Sequence, residues 1–208
     1  SVPLAQEGTG QVVVDFTPEP LTQDVSFVFH IEKTADVVVD SLTAEISGIP
    51  STMELTTGLI LAQKTYKLLF RPTYAALPSA ADSASAEALR CEASVNIPGI
   101  VRSHTEDMVT GPGILQIAIY THYDYEEEGT QRKAAKVFHA GINLYHTLKE
   151  RKSLQWDEEE NGYRQASRSI TVEIGSPLNI DKDGILNGGS TSTGLDQWIP
   201  GETFEIEV

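Results

Sequence analysis

The sequence predicts an all-β protein whose strands form antiparallel β-sandwiches. The main evidence is a period of two: apolar and polar side chains alternate in stretch after stretch, as in strands with one buried face. Glycine and proline stand where the alternations stop, and these residues commonly end strands. The one alanine-rich stretch lacks the wide apolar face that a short helix needs. We therefore expect a helix content below roughly 15%, against about one third in ordinary globular proteins.

The composition limits the class of protein. The chain has 208 residues, enough for one large sandwich or two domains of about 100 residues. Its formal net charge is −15, so nucleic acid is not an expected partner. The single cysteine, Cys91, rules out a disulfide within the chain. No apolar run approaches the roughly 18 residues of a membrane-spanning helix. Ser1 opens without the charged and apolar parts of a signal peptide, so we expect an exported form to have lost its signal.

The first half of the chain predicts about six strands. Alternation is clearest at residues 11–16, 25–32, 36–47, 66–70 and 91–97. Gly48-Ile49-Pro50-Ser51 is predicted to end the third of these stretches. Residues 78–90 contain almost no large side chain and predict a mobile loop rather than a helix.

The second half is organised around one long predicted β-hairpin at residues 113–148. Two alternating arms flank the charged residues 124–133, which we expect in solvent because no core accepts so many unpaired charges. A charged loop or one-turn helix should follow at 149–163, then a strand at 170–174. The closing residues 204–208 alternate again and should pair near the hairpin. A composition shift at 102–107 predicts a domain boundary, which gives domains 1–105 and 106–208.

Candidate chemical groups are few. His122, Asp124 and Glu126 lie close in sequence and could form a metal or acid/base site, but solvated residues of a hairpin tip are the favoured interpretation. Cys91 alternates with apolar residues and is predicted to be a core residue rather than a reactive thiol. The sequence has no nucleophile-elbow, zinc-protease, phosphate-loop or dinucleotide motif, so we expect neither an enzyme nor a cofactor.

One loop resembles the start of a calcium-binding loop. Asp181 and Asp183 alternate ahead of Gly184, and Asn187 follows, so oxygen ligands could converge there. The third alternating ligand and the distal glutamate are missing. A plain Asp-Gly turn is therefore the favoured interpretation.

The end of the chain carries a family resemblance. Gly194-Leu195-Asp196-Gln197-Trp198, followed by Phe204-Glu205-Ile206-Glu207-Val208, resembles the close of the fimbrillin-like surface proteins of Bacteroidales bacteria, which include fimbrial anchor subunits. The stretch 46–58 is similar to the turn after a strand in their first domain. The resemblance implies two tandem transthyretin-like (immunoglobulin-like) β-sandwiches, a place in the outer membrane or fimbrium, and cell adhesion. It also implies a lipoprotein, although the expected lipidated cysteine is not in this sequence.

The resemblance implies assembly by donated β-strands with other fimbrial subunits or with further copies of the chain, and possible contact with a host protein or glycan. The expected exchanged strand carries Val12, Val14 and Phe16, because Pro18 and Pro20 follow it in an extended connection. The C-terminal strand has the same alternation. Glycosylation of Asp-Ser-apolar triplets, also implied by the resemblance, would fall on Ser83 first and Ser41 second.

Two other functions stay open from the sequence. A surface carbohydrate-binding module would need exposed aromatic side chains on one face, and the candidates are Tyr123, Tyr125, Trp156 and Tyr163. A glycan-active enzyme would need two carboxylates facing each other in a cleft. The structural subunit or adhesin is the preferred function.

Overall fold

The structure is a computed structural model, and it describes residues 20–77, 86–100, 113–144, 147–148, 151, 154–159, 162–186 and 198–206. Within these residues the chain forms twelve strands and no helix longer than a turn. The strands are β1 Gln23–Thr34, β2 Val37–Met53, β3 Ile60–Phe70, β4 Thr73–Ala76, β5 Ala86–Ile97, β6 Ile114–Glu127, β7 Thr130–Asn143, β8 Leu154–Asp157, β9 Gly162–Gln165, β10 Ser169–Glu173, β11 Leu178–Ile180 and β12 Ile199–Ile206. The all-β prediction is confirmed.

The strands form two sheets. The five-stranded sheet has the order β10-β1-β5-β4, and β11 continues the line of β10 along β1. The seven-stranded sheet has the order β12-β7-β6-β2-β3-β9-β8. Neighbouring strands are antiparallel except for β10 and β11, which run parallel to β1.

One hydrophobic core includes side chains from both sheets. The alternation of β1 places Val25, Phe27, Phe29 and Ile31 fully inside, because successive side chains of a strand point to opposite faces. The Phe27 ring stacks on Phe70 of the seven-stranded sheet, with ring centroids 5.7 Å apart. The two sheets therefore pack face to face as a β-sandwich.

The predicted boundary between residues 105 and 106 does not agree with the strand pairing. In the five-stranded sheet, β1 pairs with β5 from the first half of the chain and with β10 from the second. In the seven-stranded sheet, β2 pairs with β6 from Val37↔Tyr123 to Ile46↔Leu115. Both sheets and the core thus combine both halves. The composition shift at residues 102–107, which lie outside the described residues, carries no information on which distant strands pair.

The long hairpin is confirmed. β6 and β7 pair without a register shift from Ile114↔Asn143 to Glu127↔Thr130. The two residues between them, Glu128 and Gly129, have φ angles of 52° and 77°. Positive φ at both positions is typical of the type I′ turn, whose twist matches that of the strands it joins. Beyond Tyr123 the hairpin pairs with no third strand of the described chain, so its charged tip is exposed, as predicted.

Strand β2 is longer than predicted. Gly48-Ile49-Pro50-Ser51 does not end it but forms an irregular stretch, with register shifts against β3 on both sides of Ile49 and Pro50. Gly48 has a φ of 85°, and the Ser47 hydroxyl accepts the Ile114 N–H at 3.0 Å. Pro50 is tolerated because pairing with β6 ends at Ile46, so its missing N–H costs no bond between those strands.

The last strand and the charged segment before it complete the seven-stranded sheet. β12 pairs antiparallel with β7, which confirms the predicted place of the closing strand. The segment 149–163 was predicted as a loop or a helical turn; instead β8 lies within it and pairs with β9, which begins at Gly162. Short strands with many charges give a weak alternation signal, which explains this error.

Candidate functional site

The four aromatic residues proposed as a ligand platform lie at two ends of the seven-stranded sheet. Tyr123 and Tyr125 are neighbours, with ring centroids 6.2 Å apart, and Tyr123 pairs with Val37 at the start of β2. Tyr163 pairs with Ile60, which pairs with Met53 at the end of β2. β2 has 17 residues, and at 3.3 Å per residue its ends are about 50 Å apart. Trp156 is the strand partner of Tyr163. The four residues therefore do not form one platform.

A buried lysine supports the tyrosine end of the hairpin. Lys136 is only 8% exposed, and its Nζ donates to the Lys182 carbonyl oxygen at 2.8 Å and contacts Glu205 Oε1 at 3.1 Å. Burial lowers the pKa of this ammonium, but the hydrogen bond to Glu205 and the interaction with Tyr123 outweigh it and raise the pKa above its usual value. The ammonium also lies 5.4 Å from the Tyr123 ring centre. Lys136 therefore has a structural role: its ammonium links β7 to the loop after β11 and to β12.

The loop with Asp181 and Asp183 adopts the Asp-Gly turn. Asp181 Oδ1 accepts the N–H groups of Asp183 and Gly184 at 2.7 and 2.8 Å, and the Asp181 N–H donates to the Gly184 carbonyl at 3.0 Å. These bonds form the Asp-Gly turn that was the favoured interpretation of the sequence. Asn187 lies outside the described residues.

The histidine at the hairpin binds a different acid from those next to it in sequence. His122 Nδ1 lies 2.8 Å from Asp40 Oδ1, across the β2–β6 pair. Nowhere in the described part of the chain do three His, Cys, Asp or Glu side chains gather as a metal site would require. The pair is therefore a cross-strand contact.

Cys91 is a fully buried core residue, as predicted. Burial raises the pKa of its thiol to about 12, so the thiolate is not formed at neutral pH.

The predicted modification and exchange residues are only partly within the described structure. Ser41 is exposed on β2, where it pairs with Tyr120. Asp40, the first residue of the Asp-Ser-apolar triplet, contacts His122 Nδ1. Ser83, Val12, Val14 and Phe16 lie outside the described residues.

One sheet edge is incompletely covered. β4 pairs with β5 only from Leu89 to Glu92. Within the described strands, residues 93–97 of β5 pair with β1 and with nothing on their other side. Val95 and Ile97 of this stretch face the core, whereas Ser94 and Asn96 are exposed. Phe70 stacks on Phe27, the strand partner of Ala93, and is itself only half-buried. Phe70 is thus a partly exposed side chain that packs against the core near this edge.

A polar pocket of about 340 Å³ was not predicted from the sequence. It lies between the start of β1, the β2–β3 turn and the crossing from β9 to β10, and two arginines, Arg164 and Arg168, line it. The only sequence signal was a pair of arginines four residues apart in an acidic chain. Three distant segments form the pocket, so only the fold reveals it.

Comparison with known proteins gives no relative. No protein-family model, curated protein or solved structure matches the chain. Among the described residues, none belongs to a helix of the length and apolar character needed to cross a membrane. The fimbrillin-like resemblance therefore stays a prediction.

Proposed function

We propose that the protein is a non-enzymatic subunit of a cell-surface fibre, a structural, anchor or adhesin subunit, in which neighbouring subunits are joined by an exchanged β-strand. The observation that carries this proposal is the edge of β5, where β4 covers only Leu89 to Glu92. A row of unpaired backbone N–H and C=O groups invites another strand. The surface location and the other fimbrial subunits follow from the family resemblance.

The length and position of the N-terminal segment fit this edge. Residues 11–16 form an alternating stretch about as long as the open stretch 93–97. The described chain begins beside the same end of β5, because Gln23 pairs with Ile97. Residues 17–19, between this segment and the described chain, can span about 10 Å, and crossing from β1 past β5 requires two strand spacings, or about 10 Å. The chain's own segment, or that of a neighbouring copy, can therefore reach the edge.

An added strand at this position would gain apolar burial as well as backbone bonds. If Val12, Val14 and Phe16 point inward, they join Val95 and Ile97 beside the half-buried Phe70. Fully burying one such side chain contributes about 1.5–3 kcal/mol, before the entropy cost of ordering the strand. Strand exchange keeps the same contacts, because residues 11–16 of one copy take the place of residues 11–16 of another.

Photo-crosslinking on cells of the native host tests the proposal. A benzophenone amino acid replaces Asn96, which is exposed on the open part of β5. The matched control carries it at Glu92, which is also exposed but pairs with Thr73 of β4. We expect irradiation at position 96 to give a ladder of products one subunit apart, with residues 11–16 of a second chain in the crosslinked peptide. Crosslinks only within one chain, or equal ladders from both positions, would contradict strand exchange.

A further inference from the structure

The arginine-lined pocket has a one-sided charge. Its lining residues are Pro20, Leu21, Met53, Thr57, Gly58, Arg164, Gln165, Ala166, Ser167 and Arg168. None of these residues, which are the ones that the structure describes around the pocket, is acidic, although the chain has 30 acidic residues against 15 lysines and arginines. A positively charged pocket in an acidic protein attracts anions at short range, because at physiological salt charges beyond about 8 Å are largely screened.

Two acids that lie close in sequence to pocket residues accept hydrogen bonds. Glu54, in the β2–β3 turn, accepts hydrogen bonds from the hydroxyls of Thr56 and Thr57 at 3.1 and 2.9 Å. Asp24 Oδ1 accepts the Asn96 side-chain amide at 2.7 Å. Across the described residues, the Arg168 guanidinium makes no hydrogen bond or ion pair. Its planar set of N–H donors is thus available to a ligand.

The segment 164–168, which carries both arginines, is held in place by hydrogen bonds to backbone groups. The Arg168 carbonyl accepts the Asp24 N–H at 2.9 Å, which fixes the loop to the start of β1. The Gln165 side-chain amide donates to the carbonyl oxygens of Leu21 and of Pro98, the latter at 3.2 Å. Hydrogen bonds therefore hold the segments that form the pocket, so little entropy is lost in ordering them when a ligand binds.

We propose that this pocket binds the carboxylate of an acidic sugar unit, with Arg168 as the residue that recognises the charge. A guanidinium matches a carboxylate through two parallel hydrogen bonds. The Ser167 hydroxyl lines the same space and suits a sugar hydroxyl, and Leu21 and Met53 supply an apolar surface. A volume of about 340 Å³ lies at the lower end of ligand pockets and suits a single sugar ring. This site is separate from the β5 edge and does not depend on strand exchange.

Titration of the whole protein with sodium glucuronate, followed by backbone amide NMR at constant ionic strength, tests the site. We expect shifts confined to residues around the pocket and a Kd on the order of 1 mM. Glucose, which has the ring without the charge, should not bind at the same concentrations. Acetate, which has the charge without the ring, should bind at least tenfold more weakly. Equal binding of acetate and glucuronate would overturn the sugar assignment.

Two arginine variants give the matched comparison. Arg168→Gln should weaken glucuronate binding about tenfold or more, because a charge-assisted bidentate contact is lost. Arg71→Gln removes an exposed arginine after β3, outside the pocket lining, and should leave the affinity unchanged. An amide spectrum of each ligand-free variant that differs from that of the wild type only near the substituted residue shows that the fold is intact. Equal effects of the two variants, or unchanged binding by Arg168→Gln, would contradict the proposal.

Discussion

Trp198 offers the sharpest stability prediction, because it connects the last strand to the opposite sheet. Its side chain is 2% exposed and packs edge to face on Phe29, with ring centroids 5.8 Å apart. Its indole N–H donates to the Ser176 carbonyl at 2.9 Å. That carbonyl lies in the break between β10 and β11, which β1 does not pair. The tryptophan thus fills core volume and satisfies a backbone group that the sheet leaves unpaired.

Two substitutions separate these contributions. Trp198→Ala should lower the free energy of unfolding by about 3–5 kcal/mol, the usual effect of removing a buried aromatic side chain. Trp198→Phe keeps much of the volume but leaves the Ser176 carbonyl without its donor, and should cost about 1–3 kcal/mol. Urea unfolding followed by far-UV circular dichroism measures both values.

The neighbouring Ile199 gives a matched control, because it is 67% exposed on the outer side of β12. Ile199→Ala should change the free energy of unfolding by no more than about 0.5 kcal/mol. A loss below about 1 kcal/mol for Trp198→Ala, or an effect of Trp198→Phe equal to that of Ile199→Ala, would refute the argued role of the indole.

Three further predictions concern titration, reactivity and modification. Because the pKa of Lys136 is raised on folding, its ammonium stabilises the fold below its ordinary pKa, and this contribution is lost as the pH rises through the raised value. The difference in unfolding free energy between wild type and Lys136→Met should therefore shrink above about pH 10.5, and a constant difference up to pH 12 would contradict this. Since burial raises the pKa of Cys91 to about 12, a thiol reagent at pH 8 should label it in urea but not in the native protein; rapid native labelling would show an accessible thiol. Protein purified from the native host should carry a glycan on Ser83, and less readily on Ser41, so its intact mass should exceed the mass of the unmodified chain. An unmodified mass would remove this hypothesis.

Local features were predictable from the sequence. The two arms of the hairpin alternate without interruption, so strand assignment and the exposed charged tip followed directly. The buried place of Cys91 followed from its alternation with Ala93, Val95 and Ile97. These features depend on residues near one another in the chain, where periodicity is informative.

Features that depend on distant pairing were not predictable. The pairing of β2 with β6 joins residues about 80 positions apart and removes the predicted domain boundary. The tyrosines of the hairpin and Tyr163 share a sheet, but the length of β2 separates them. The arginine pocket combines three segments whose approach depends on the sandwich itself. Periodicity identifies the buried face of a strand but not its neighbour.

The proposed assembly requires that subunits exchange the strand of residues 11–16. Deleting residues 1–17 removes none of the described strands or core residues, since β1 begins at Gln23. The shortened protein should therefore stay folded, and a labelled peptide of residues 11–16 should bind to it, as measured by fluorescence anisotropy. A peptide with Val12, Val14 and Phe16 replaced by serine should not bind, whereas replacement of Val13, on the other face, should be tolerated. An unfolded deletion variant, or equal binding of the two altered peptides, would contradict strand exchange at this site.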